Sequence, residues 1–543
     1  MDSDALACLA DASAYPLDTS ASTGIQRIDT HISHVFLTGA RAYKFRRPVK
    51  LSFLDFSKAS ERTADCVREV VLNRRLAPDV YLGVAALRGH NGRFVIGANT
   101  DTPCGDSGVV EHCVVMRRLP SGRDLYTLLA ARSATTSQID AVAATMARFH
   151  ATQGLGVPAP FPALDWLAIA TAPARANFDA LLPVDQSIVA HDRVCEARDL
   201  AAAFAAAHSA EFEERRRRGR IVDGHGDLHS EHVWFETDDS PPVIVDCLEF
   251  NEDFRRIDAA SDVAFLAMDL TYRGYPDLAS RFLGRYARDS DDFHLFSVVD
   301  YFAGFRALVR AKVAAVVAGD VSMSAERRSR AASSARRHLD LGIELLTARR
   351  PGATLLVCGM IGSGKTTVAE ALADLLGAVV ISSDRVRKAR AGLEASESLR
   401  AAHGSGAYED ARRSQVYADM LMEARSVVRS GRTVILDATY ARRAWRTEAQ
   451  TWALGENSPC SLIEVTADER DAQARLSERA KRGGDASDAG PELYAAMRAQ
   501  FEAPRAFAED WPQPRRFLID TSRATWHATT REVAAALTAE AER

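Results

Sequence analysis

The strongest constraint on this chain is the segment Gly359-Met360-Ile361-Gly362-Ser363-Gly364-Lys365-Thr366, which matches the pattern G-x-x-x-x-G-K-[ST]. An apolar run at 354–358 precedes it and a helix-forming run at 367–376 follows it, which gives the required order of strand, loop and helix. Glycines let successive backbone N–H groups face one anion, and the positive end of the helix points at the same place. The predicted nucleotide-binding residues are Gly359, Gly362, Ser363, Gly364, Lys365, Thr366 and Thr367. Among them, Lys365 would reach the terminal phosphates and Thr366 would hold Mg²⁺.

Length and composition narrow the class of protein. At 543 residues, and with roughly 150 residues per domain, the chain is expected to form three or four compact units. Hydrophobic residues make up 47%, yet no apolar run is long enough for a membrane span. The eight cysteines show no CxxC spacing and the first residues are acidic, so we expect a cytoplasmic protein with reduced thiols. A net charge of -5 gives no overall field that would attract nucleic acid.

Strands and helices alternate after the phosphate-binding loop. Apolar strands are predicted at 378–382, 433–437, 461–465 and 517–520, with helical stretches between them. This alternation predicts an α/β domain with a parallel sheet, whose ligand lies at the carboxyl ends of the strands. Because Pro351-Gly352 stops the preceding helix, we predict one domain over 1–348 and a second over 349–543.

The first part of the chain has a different pattern. Residues 1 to about 120 predict short strands, including a hairpin of 30–39 with 41–45, and one helix over 60–76. Residues 197–218 predict a single alanine-rich helix that ends in four arginines. The arginine run suggests nucleic-acid binding, but Glu-to-Arg pairs four residues apart favour a solvated helix end.

Two acidic residues follow short apolar strands in the middle of the chain. Asp227 lies in Asp223-Gly224-His225-Gly226-Asp227-Leu228-His229, and Asp246 follows the apolar run 243–245. Metal-dependent phosphoryl transfer needs one carboxylate to accept a hydroxyl proton and another to hold the metal. The pair therefore predicts a second phosphoryl-transfer site.

The C-terminal part resembles the P-loop small-molecule and polynucleotide kinases, including the zeta-toxin and chloramphenicol phosphotransferase group. The likeness rests on the loop and on Ile381-Ser382-Ser383-Asp384-Arg385-Val386-Arg387. It implies that Asp384 is the general base, that Arg387 clamps the acceptor or phosphate, and that Asp437 supports Mg²⁺. Asp384 could instead cap a helix, and Asp437 could be a structural turn residue. The resemblance also implies a basic lid, for which Arg470, Arg475, Arg479, Lys481 and Arg482 are candidates, with 483–488 as its return.

The N-terminal part resembles the aminoglycoside phosphotransferase family, whose fold is the bilobal α+β fold of protein kinases. The match is His225-Gly226-Asp227-Leu228-His229, close to the H-G-D-x-H catalytic loop. It implies that Asp227 is the catalytic base and Asp246 the metal ligand, and that Lys44 and Glu69 form the phosphate-binding pair.

Two departures from that family concern the metal and the nucleotide. His232 occupies the position of a metal-binding Asn and is the candidate second metal ligand, although an imidazole suits Mg²⁺ poorly. No glycine-rich loop precedes Lys44, since the hairpin offers only Thr38-Gly39-Ala40. These departures leave three alternatives for the N-terminal site: weak nucleotide binding, use of one metal or Mn²⁺, or sensing without activity.

As a whole the chain resembles bacterial bifunctional aminoglycoside phosphotransferase/ATP-binding proteins. The resemblance implies a kinase that uses ATP or GTP with Mg²⁺ and phosphorylates a hydroxyl of a small molecule at two kinase-like sites. Two alternatives stay open: a nucleic-acid end kinase, favoured by the basic run 385–390, and a P-loop kinase regulated by a weak or inactive N-terminal domain. The sequence indicates neither the acceptor nor the oligomeric state.

Overall fold

A computed structural model describes residues 3–51, 54–90, 92–103, 105, 108–390, 407–482, 491–504 and 516–541. The chain forms two compact units, whereas its length suggested three or four. Each unit is assembled from two separate stretches, which a length-based expectation does not foresee. The first unit contains Met1–Pro162 and Arg216–Asp269, and the second contains Ala163–Arg215 and Leu270–Arg543.

Regular elements of the first half of the chain are mostly short. Its strands are β1 (Gln26–Asp29), β2 (Ser33–Leu37), β3 (Arg41–Arg46), β4 (Lys50–Leu51), β5 (Leu54–Asp55), β6 (Tyr81–His90), β7 (Arg93–Ile96), β8 (Val109–Arg117), β9 (Ile221–Asp223), β10 (Val233–Trp234), β11 (Val243–Ile244) and β12 (Arg256–Asp258). Its helices are α1 (Ser3–Cys8), α2 (Ala59–Asn73), α3 (Leu125–Ala130), α4 (Thr136–Thr152), α5 (Ala163–Leu181), α6 (His191–Ala207), α7 (Ser209–Arg217) and α8 (Ala259–Tyr272).

The first unit is built on an antiparallel sheet in the order β1-β2-β3-β8-β6-β7. The predicted β2–β3 hairpin is confirmed, with Val35 opposite Lys44, and so is the helix α2. The short helix α1 was not predicted. The apolar face of α2, with Cys66 and Val70, packs against Val84 of β6 and Val114 of β8. This packing fixes α2 on the sheet, so that residues of β3 and α2 can meet.

Two small ladders in the first unit hold the segments that carry Asp227 and Asp246. Strand β9 pairs antiparallel with β12, and β10 pairs antiparallel with β11. Asp227 follows the end of β9 by four residues, and Asp246 follows the end of β11 by two. Asp246 has a φ of 63°, a left-handed conformation that turns the chain sharply after its strand.

The prediction of a single helix over 197–218 is wrong. Helix α6 ends at Ala207 because His208 leaves the helical conformation, with φ −112° and ψ 21°, and α7 begins at Ser209. The solvated arginine run is wrong for Arg215, which is fully buried. Its two terminal guanidinium nitrogens each donate to the Asp292 carboxylate at 2.9 Å. An arginine in this position stabilises the packing of the second unit.

The second half of the chain has longer helices and one parallel sheet. Its helices are α9 (Pro276–Asp289), α10 (Val299–Gly319), α11 (Ala325–Leu346), α12 (Lys365–Leu376), α13 (Ser383–Arg390), α14 (Ala407–Arg429), α15 (Arg443–Gly455), α16 (Glu469–Arg482), α17 (Tyr494–Gln500) and α18 (Trp526–Ala541). Its strands are β13 (Thr354–Cys358), β14 (Val379–Ser382), β15 (Val434–Asp437), β16 (Cys460–Thr466) and β17 (Arg516–Asp520).

The predicted parallel sheet of the second unit is confirmed. Its strand order is β14-β15-β13-β16-β17, and all four pairings are parallel. Apolar residues of β13, such as Leu355 and Val357, pack against Val368 and Leu372 of α12. The carboxyl ends of the strands therefore lie at one edge, beside the start of α12. Among the described residues, no helix combines the length and the apolar character needed to cross a membrane.

Candidate active sites

The predicted phosphate-binding loop connects β13 to α12. Gly359 and Gly362 have φ values of 151° and 74°, a region that glycine adopts readily. A Cβ at Gly359 would lie 2.1 Å from the Val465 carbonyl oxygen, and one at Gly362 would lie 2.6 Å from that of Ala472. Side chains are therefore excluded at both positions, because the loop backbone passes close to Val465 and Ala472. Gly364 caps the helix, and Lys365, Thr366 and Thr367 form its first turn.

Two polar side chains of the loop suit a phosphate ligand. Lys365 Nζ donates to the Met360 carbonyl at 2.9 Å, which holds the ammonium group over the loop. Burial lowers the pKa of Lys365, the Arg479 guanidinium adds to this, and the carboxylates of Asp437 and Asp384 oppose it. Ser363 Oγ is buried and has no hydrogen-bond partner within the described part of the chain. A buried orphan hydroxyl and a nearby cation fit an anionic group in this loop.

Thr366 and Asp437 come together as the resemblance implied for a metal site. Thr366 Oγ1 donates to Asp437 Oδ2 at 2.7 Å, and Asp437 is the last residue of β15. Burial raises the pKa of Asp437 to about 6, against the opposing effects of Lys365 and Thr366. A hydroxyl and a carboxylate are hard oxygen donors, so this pair fits Mg²⁺.

Asp384 and Arg387 lie on the short helix that follows β14. Asp384 stands one residue inside α13, so it is not the N-cap residue of this helix. Its carboxylate is 3.3 Å from the Arg387 guanidinium, and its charge acts on both Lys365 and Asp437. Asp384 therefore lies close enough to the phosphate-binding loop to act electrostatically on Lys365 and Asp437.

The structure separates the candidate lid arginines of α16. Arg475 donates to Thr521 Oγ1 at 2.7 Å and to its carbonyl at 2.9 Å, while Thr521 Oγ1 donates to the Ser363 carbonyl at 2.8 Å. Arg475 therefore stabilises the loop through Thr521, which is hydrogen-bonded to both. Among the side chains that the structure describes, the charge of Arg479 lowers the pKa of Lys365, whereas Arg470 is exposed. The predicted lid return at 483–488 lies outside the described residues.

In the first unit, Lys44 joins the two predicted partners. Its Nζ lies 2.9 Å from Glu69 Oε1 and 2.7 Å from Asp246 Oδ1. Burial by itself lowers the pKa of Lys44, but the carboxylates of Asp246 and Glu69 outweigh it and raise the pKa above its ordinary value. The ammonium group therefore stays charged between the helix α2 and the metal-site candidate Asp246.

Arg46 organises a buried ionic cluster behind Lys44. Its guanidinium donates to Asp65 Oδ2 and Glu69 Oε2, each at 2.6 Å, and also contacts Glu249. Arg46 is 1% exposed, and Asp65 and Glu69 are fully buried. Because Glu69 binds both cations, this cluster fixes the carboxylate that orients Lys44.

The segment that carries Asp227 is held by Asp262 of α8. The Asp262 carboxylate accepts from the backbone N–H groups of His225 (2.7 Å) and Gly226 (2.9 Å), and lies 3.0 Å from His150 Nε2. Burial raises the pKa of Asp227, but the hydrogen bond and charge of His229 outweigh it and lower the pKa below its ordinary value. Asp227 is thus an ionised carboxylate on a fixed loop.

His232 lies between the two acidic residues. Its Nδ1 is 2.9 Å from the Asp227 carbonyl oxygen, and its Nε2 is 3.4 Å from Asp246 Oδ2. Burial, followed by the neighbouring His229, lowers the pKa of His232 to about 4. The donor atoms of Asp227, His229 and His232 lie within 4.8 Å of one another.

The turn between β2 and β3 is tied to the preceding segment. Ala40 N–H donates to Ser20 Oγ at 2.8 Å, and Thr38 Oγ1 donates to Asp18 Oδ2 at 2.7 Å. A Cβ at Gly39 would lie 2.9 Å from Thr23 Oγ1. This turn, which stands where a glycine-rich loop was expected, is therefore anchored at several points.

Sequence reasoning missed Arg46, Asp262 and the anchoring residue Ser20. A signal for Arg46 existed, because residues two apart on a strand share a face, as Lys44 and Arg46 do on β3. Asp65 and Glu69 are likewise four apart on α2 and share a helix face. Asp262 and Ser20 belong to no motif, so no spacing points to them.

Comparisons with known proteins match two separate stretches of the chain. A family model described as a phosphotransferase enzyme family matches residues 50–296, and one described as an AAA domain matches residues 355–504. The uncharacterized proteins Rv2004c of Mycobacterium tuberculosis and Mb2027c of Mycobacterium bovis are each 34% identical to this chain over 484 residues, which cover 87% of the chain and 89% of the relative.

Solved structures of kinases also align with the chain. A choline/ethanolamine kinase family protein from Mesorhizobium loti covers 63% of this chain and 99% of its own, with 14% identity and a TM-score of 0.34. A gluconokinase from Sinorhizobium meliloti 1021 covers 36% of this chain and 96% of its own, with 21% identity and a TM-score of 0.26.

The two matched domains, on the folds described above, define a kinase: a phosphotransferase domain of the aminoglycoside phosphotransferase type fused to a nucleotide-binding P-loop kinase-like domain. More particularly, the chain belongs to the family of the mycobacterial protein Rv2004c.

Proposed function

We propose that this kinase transfers the γ-phosphoryl group of ATP to a hydroxyl group of a small molecule, and that it has two sites for this reaction. The observation that carries the proposal is a repeated arrangement of charge. In each unit a partly buried lysine is paired electrostatically with a carboxylate suited to metal binding, Lys365 with Asp437 and Lys44 with Asp246. A second carboxylate, Asp384 or Asp227, completes each site.

In the P-loop site, we assign the binding of the phosphates to the loop N–H groups and Lys365. Thr366 and Asp437 would hold Mg²⁺, which when bound offsets the negative charge of the phosphates. Asp384 accepts the acceptor's hydroxyl proton as its oxygen bonds to the γ-phosphorus and the bond to the β–γ bridging oxygen breaks, which releases ADP. Arg387 and Arg479 stabilise charge on the group in transfer.

In the N-terminal site, Lys44 takes the role of phosphate ligand, positioned by Glu69. Asp227 is the proton acceptor, and Asp246 is the metal ligand. The low pKa of Asp227 keeps it ionised at neutral pH, so it is able to accept a hydrogen bond from an alcohol.

One observation favours the alternative that the N-terminal site binds a nucleotide without turnover. The β2–β3 turn is anchored by Ser20 and Asp18, whereas covering the phosphates would need it to close over them. In that case the N-terminal domain would regulate the P-loop site, and Asp227→Asn would leave phosphoryl transfer unchanged.

The nucleic-acid alternative has less support from the basic run of α13. Lys388 is fully buried, Arg390 contacts Asp419, and Arg385 contacts the Arg288 carbonyl. Few of these cations are available to a nucleic-acid backbone. Labelled phosphate transfer to oligonucleotides with a 5′-hydroxyl would test this alternative directly.

The experiment that tests the proposal is a panel of hydroxyl-bearing small molecules, including sugars, amino alcohols and aminoglycosides, scored for transfer of label from γ-labelled ATP. The wild type is compared with Asp384→Asn and Asp227→Asn, which keep the shape of each side chain. We expect each substitution to abolish transfer to a different set of acceptors. Transfer to one and the same acceptor that survives undiminished in both variants would contradict the proposed bases.

A further inference from the structure

The N-terminal site differs from the P-loop site in the atoms that it offers to a metal. Thr366 and Asp437 present oxygen alone, whereas Asp246 is accompanied by the imidazole of His232. His232 Nε2 and Asp246 Oδ2 are 3.4 Å apart. Two atoms that each lie about 2.1 Å from one ion, at angles between tetrahedral and octahedral, are about 3.0–3.4 Å apart. The pair therefore has the spacing of two ligands of one metal.

The tautomer of His232 follows from its hydrogen bond. Its Nδ1 is 2.9 Å from the Asp227 carbonyl oxygen, which can only accept, so Nδ1 carries the hydrogen. In the neutral ring Nε2 then has a lone pair that faces a carboxylate oxygen. Two lone pairs in this arrangement repel each other unless a cation lies between them. A backbone carbonyl that fixes the Nδ1–H is also the usual support of a histidine that binds metal through Nε2.

His229, although close by, is not the ligand. Its Nδ1 accepts from the Glu231 N–H at 3.3 Å, so the hydrogen of the neutral ring is on Nε2. That Nε2 lies 3.6 Å from Asp227 Oδ2. His229 therefore orients the proposed base Asp227, and its nitrogens have no lone pair left for a metal.

We propose that the N-terminal site binds a divalent transition-metal ion through His232 Nε2 and Asp246 Oδ2, and prefers such an ion to Mg²⁺. An imidazole nitrogen favours transition metals, whereas Mg²⁺ favours oxygen ligands. One chain would then carry an oxygen-only site for Mg²⁺ and a mixed nitrogen and oxygen site for a second ion. The inference builds on the proposed N-terminal site, but its test detects the ligand and does not need phosphoryl transfer.

The test uses the full chain with ADP, excess Mg²⁺ to fill the oxygen-only site, and substoichiometric Mn²⁺ as the probe. Pulsed electron paramagnetic resonance detects the nitrogen bound to Mn²⁺, and nitrogen-15-labelled histidine distinguishes the protein from the adenine ring. We expect a coupling to histidine nitrogen that is lost in His232→Asn and kept in His229→Gln. The Asn variant should also lower the preference for Mn²⁺ over Mg²⁺ in ADP binding by about tenfold or more, the value of one ligand interaction.

The outcomes separate this inference from the proposed function. Absence of histidine coupling in the wild type, or its persistence in His232→Asn, would overturn the inference and leave phosphoryl transfer untouched. Coupling without phosphoryl transfer would support the metal site and contradict an active N-terminal kinase. Mg²⁺-dependent ADP binding at the P-loop site of each variant shows that the second unit is folded, and a urea unfolding transition like that of the wild type shows the same for the first unit.

Discussion

The hydroxyl of Thr366 donates to the carboxylate of Asp437 at 2.7 Å, across 71 residues of sequence. If this pair holds Mg²⁺, Asp437→Asn weakens nucleotide binding only when Mg²⁺ is present. We expect a loss of about 10- to 100-fold, the value of one or two interactions with a charged ligand. Titration with fluorescent ADP, in a Lys44→Met background and with or without EDTA, measures it. An equal loss in EDTA would show that the pair is structural.

Two arginines on the same helix provide a matched comparison. The charge of Arg479 lowers the pKa of Lys365. Arg470 lies earlier on the same helix, α16, and its side chain is exposed. We expect Arg479→Gln to lower kcat of the P-loop site by about 100-fold, in the range found for a lost donor to a developing charge. Arg470→Gln should leave kcat unchanged. Steady-state kinetics with an acceptor identified in the panel measure both effects. Equal effects of the two substitutions on kcat would contradict a role of Arg479 in the site.

The buried cluster of Arg46 should be a stability determinant of the first unit. Removing one partner of a buried ion pair leaves uncompensated charge, so Arg46→Met should destabilise folding by about 3–5 kcal/mol. The control is Arg47→Met, because Arg47 is partly exposed and its guanidinium donates to the Thr30 carbonyl. Urea unfolding compares the two variants. A loss no larger than that of Arg47→Met would contradict the role given to the cluster.

The charge of Asp262 predicts a pH dependence of stability. Burial raises its pKa, but the hydrogen bond and charge of His150 and the charge of His225 outweigh it and lower the pKa below the ordinary value of 3.8. A lowered carboxyl pKa stabilises the folded state above the ordinary value, and this contribution is lost as the pH falls through the folded pKa. The deficit of Asp262→Asn, about 2–4 kcal/mol at neutral pH, should therefore shrink below about pH 4. A deficit in urea unfolding that stays constant down to about pH 3 would contradict this.

The ion pair between Arg432 and Asp300 bears on the predicted domain boundary. Its two contacts, at 2.8 and 2.7 Å, link α10 to a residue three positions after the end of α14, within one compact unit. The boundary at 348/349 remains a prediction, and a fragment of 349–543 would lack Asp300. We expect that fragment to unfold at a lower urea concentration than the same sheet in the full chain. In the full chain, a double-mutant cycle of Arg432→Ala and Asp300→Ala should show coupling, and no coupling would mean that the pair contributes nothing.

Local patterns predicted the elements of both units well, because each depends on neighbouring residues. The phosphate-binding loop, the parallel sheet and the β2–β3 hairpin all follow from periodicity and glycine positions. The break at His208 and the burial of Arg215 depend on packing partners far along the chain, such as Asp292. Periodicity carries no information about these partners.

The candidate sites likewise contain residues that local motifs predict and residues whose role depends on contacts far along the chain. Motif and strand patterns predicted Lys365, Asp227 and Asp246 as site residues, and resemblance added Asp437. These patterns could not select Arg479 among several lid arginines, since that choice depends on which guanidinium reaches Lys365. Nor could they show that His232 presents Nε2 to Asp246, because a tautomer is set by a hydrogen bond seen only in three dimensions.

The central claim is that one chain has two nucleotide sites, and the number of nucleotides bound per chain tests it most directly. Equilibrium dialysis with labelled ADP, in the presence of both Mg²⁺ and Mn²⁺, should give two equivalents for the wild type. Lys365→Met and Lys44→Met should each retain one equivalent, and the double variant should retain none. A wild type that binds a single equivalent, or a single substitution that abolishes all binding, would contradict the account.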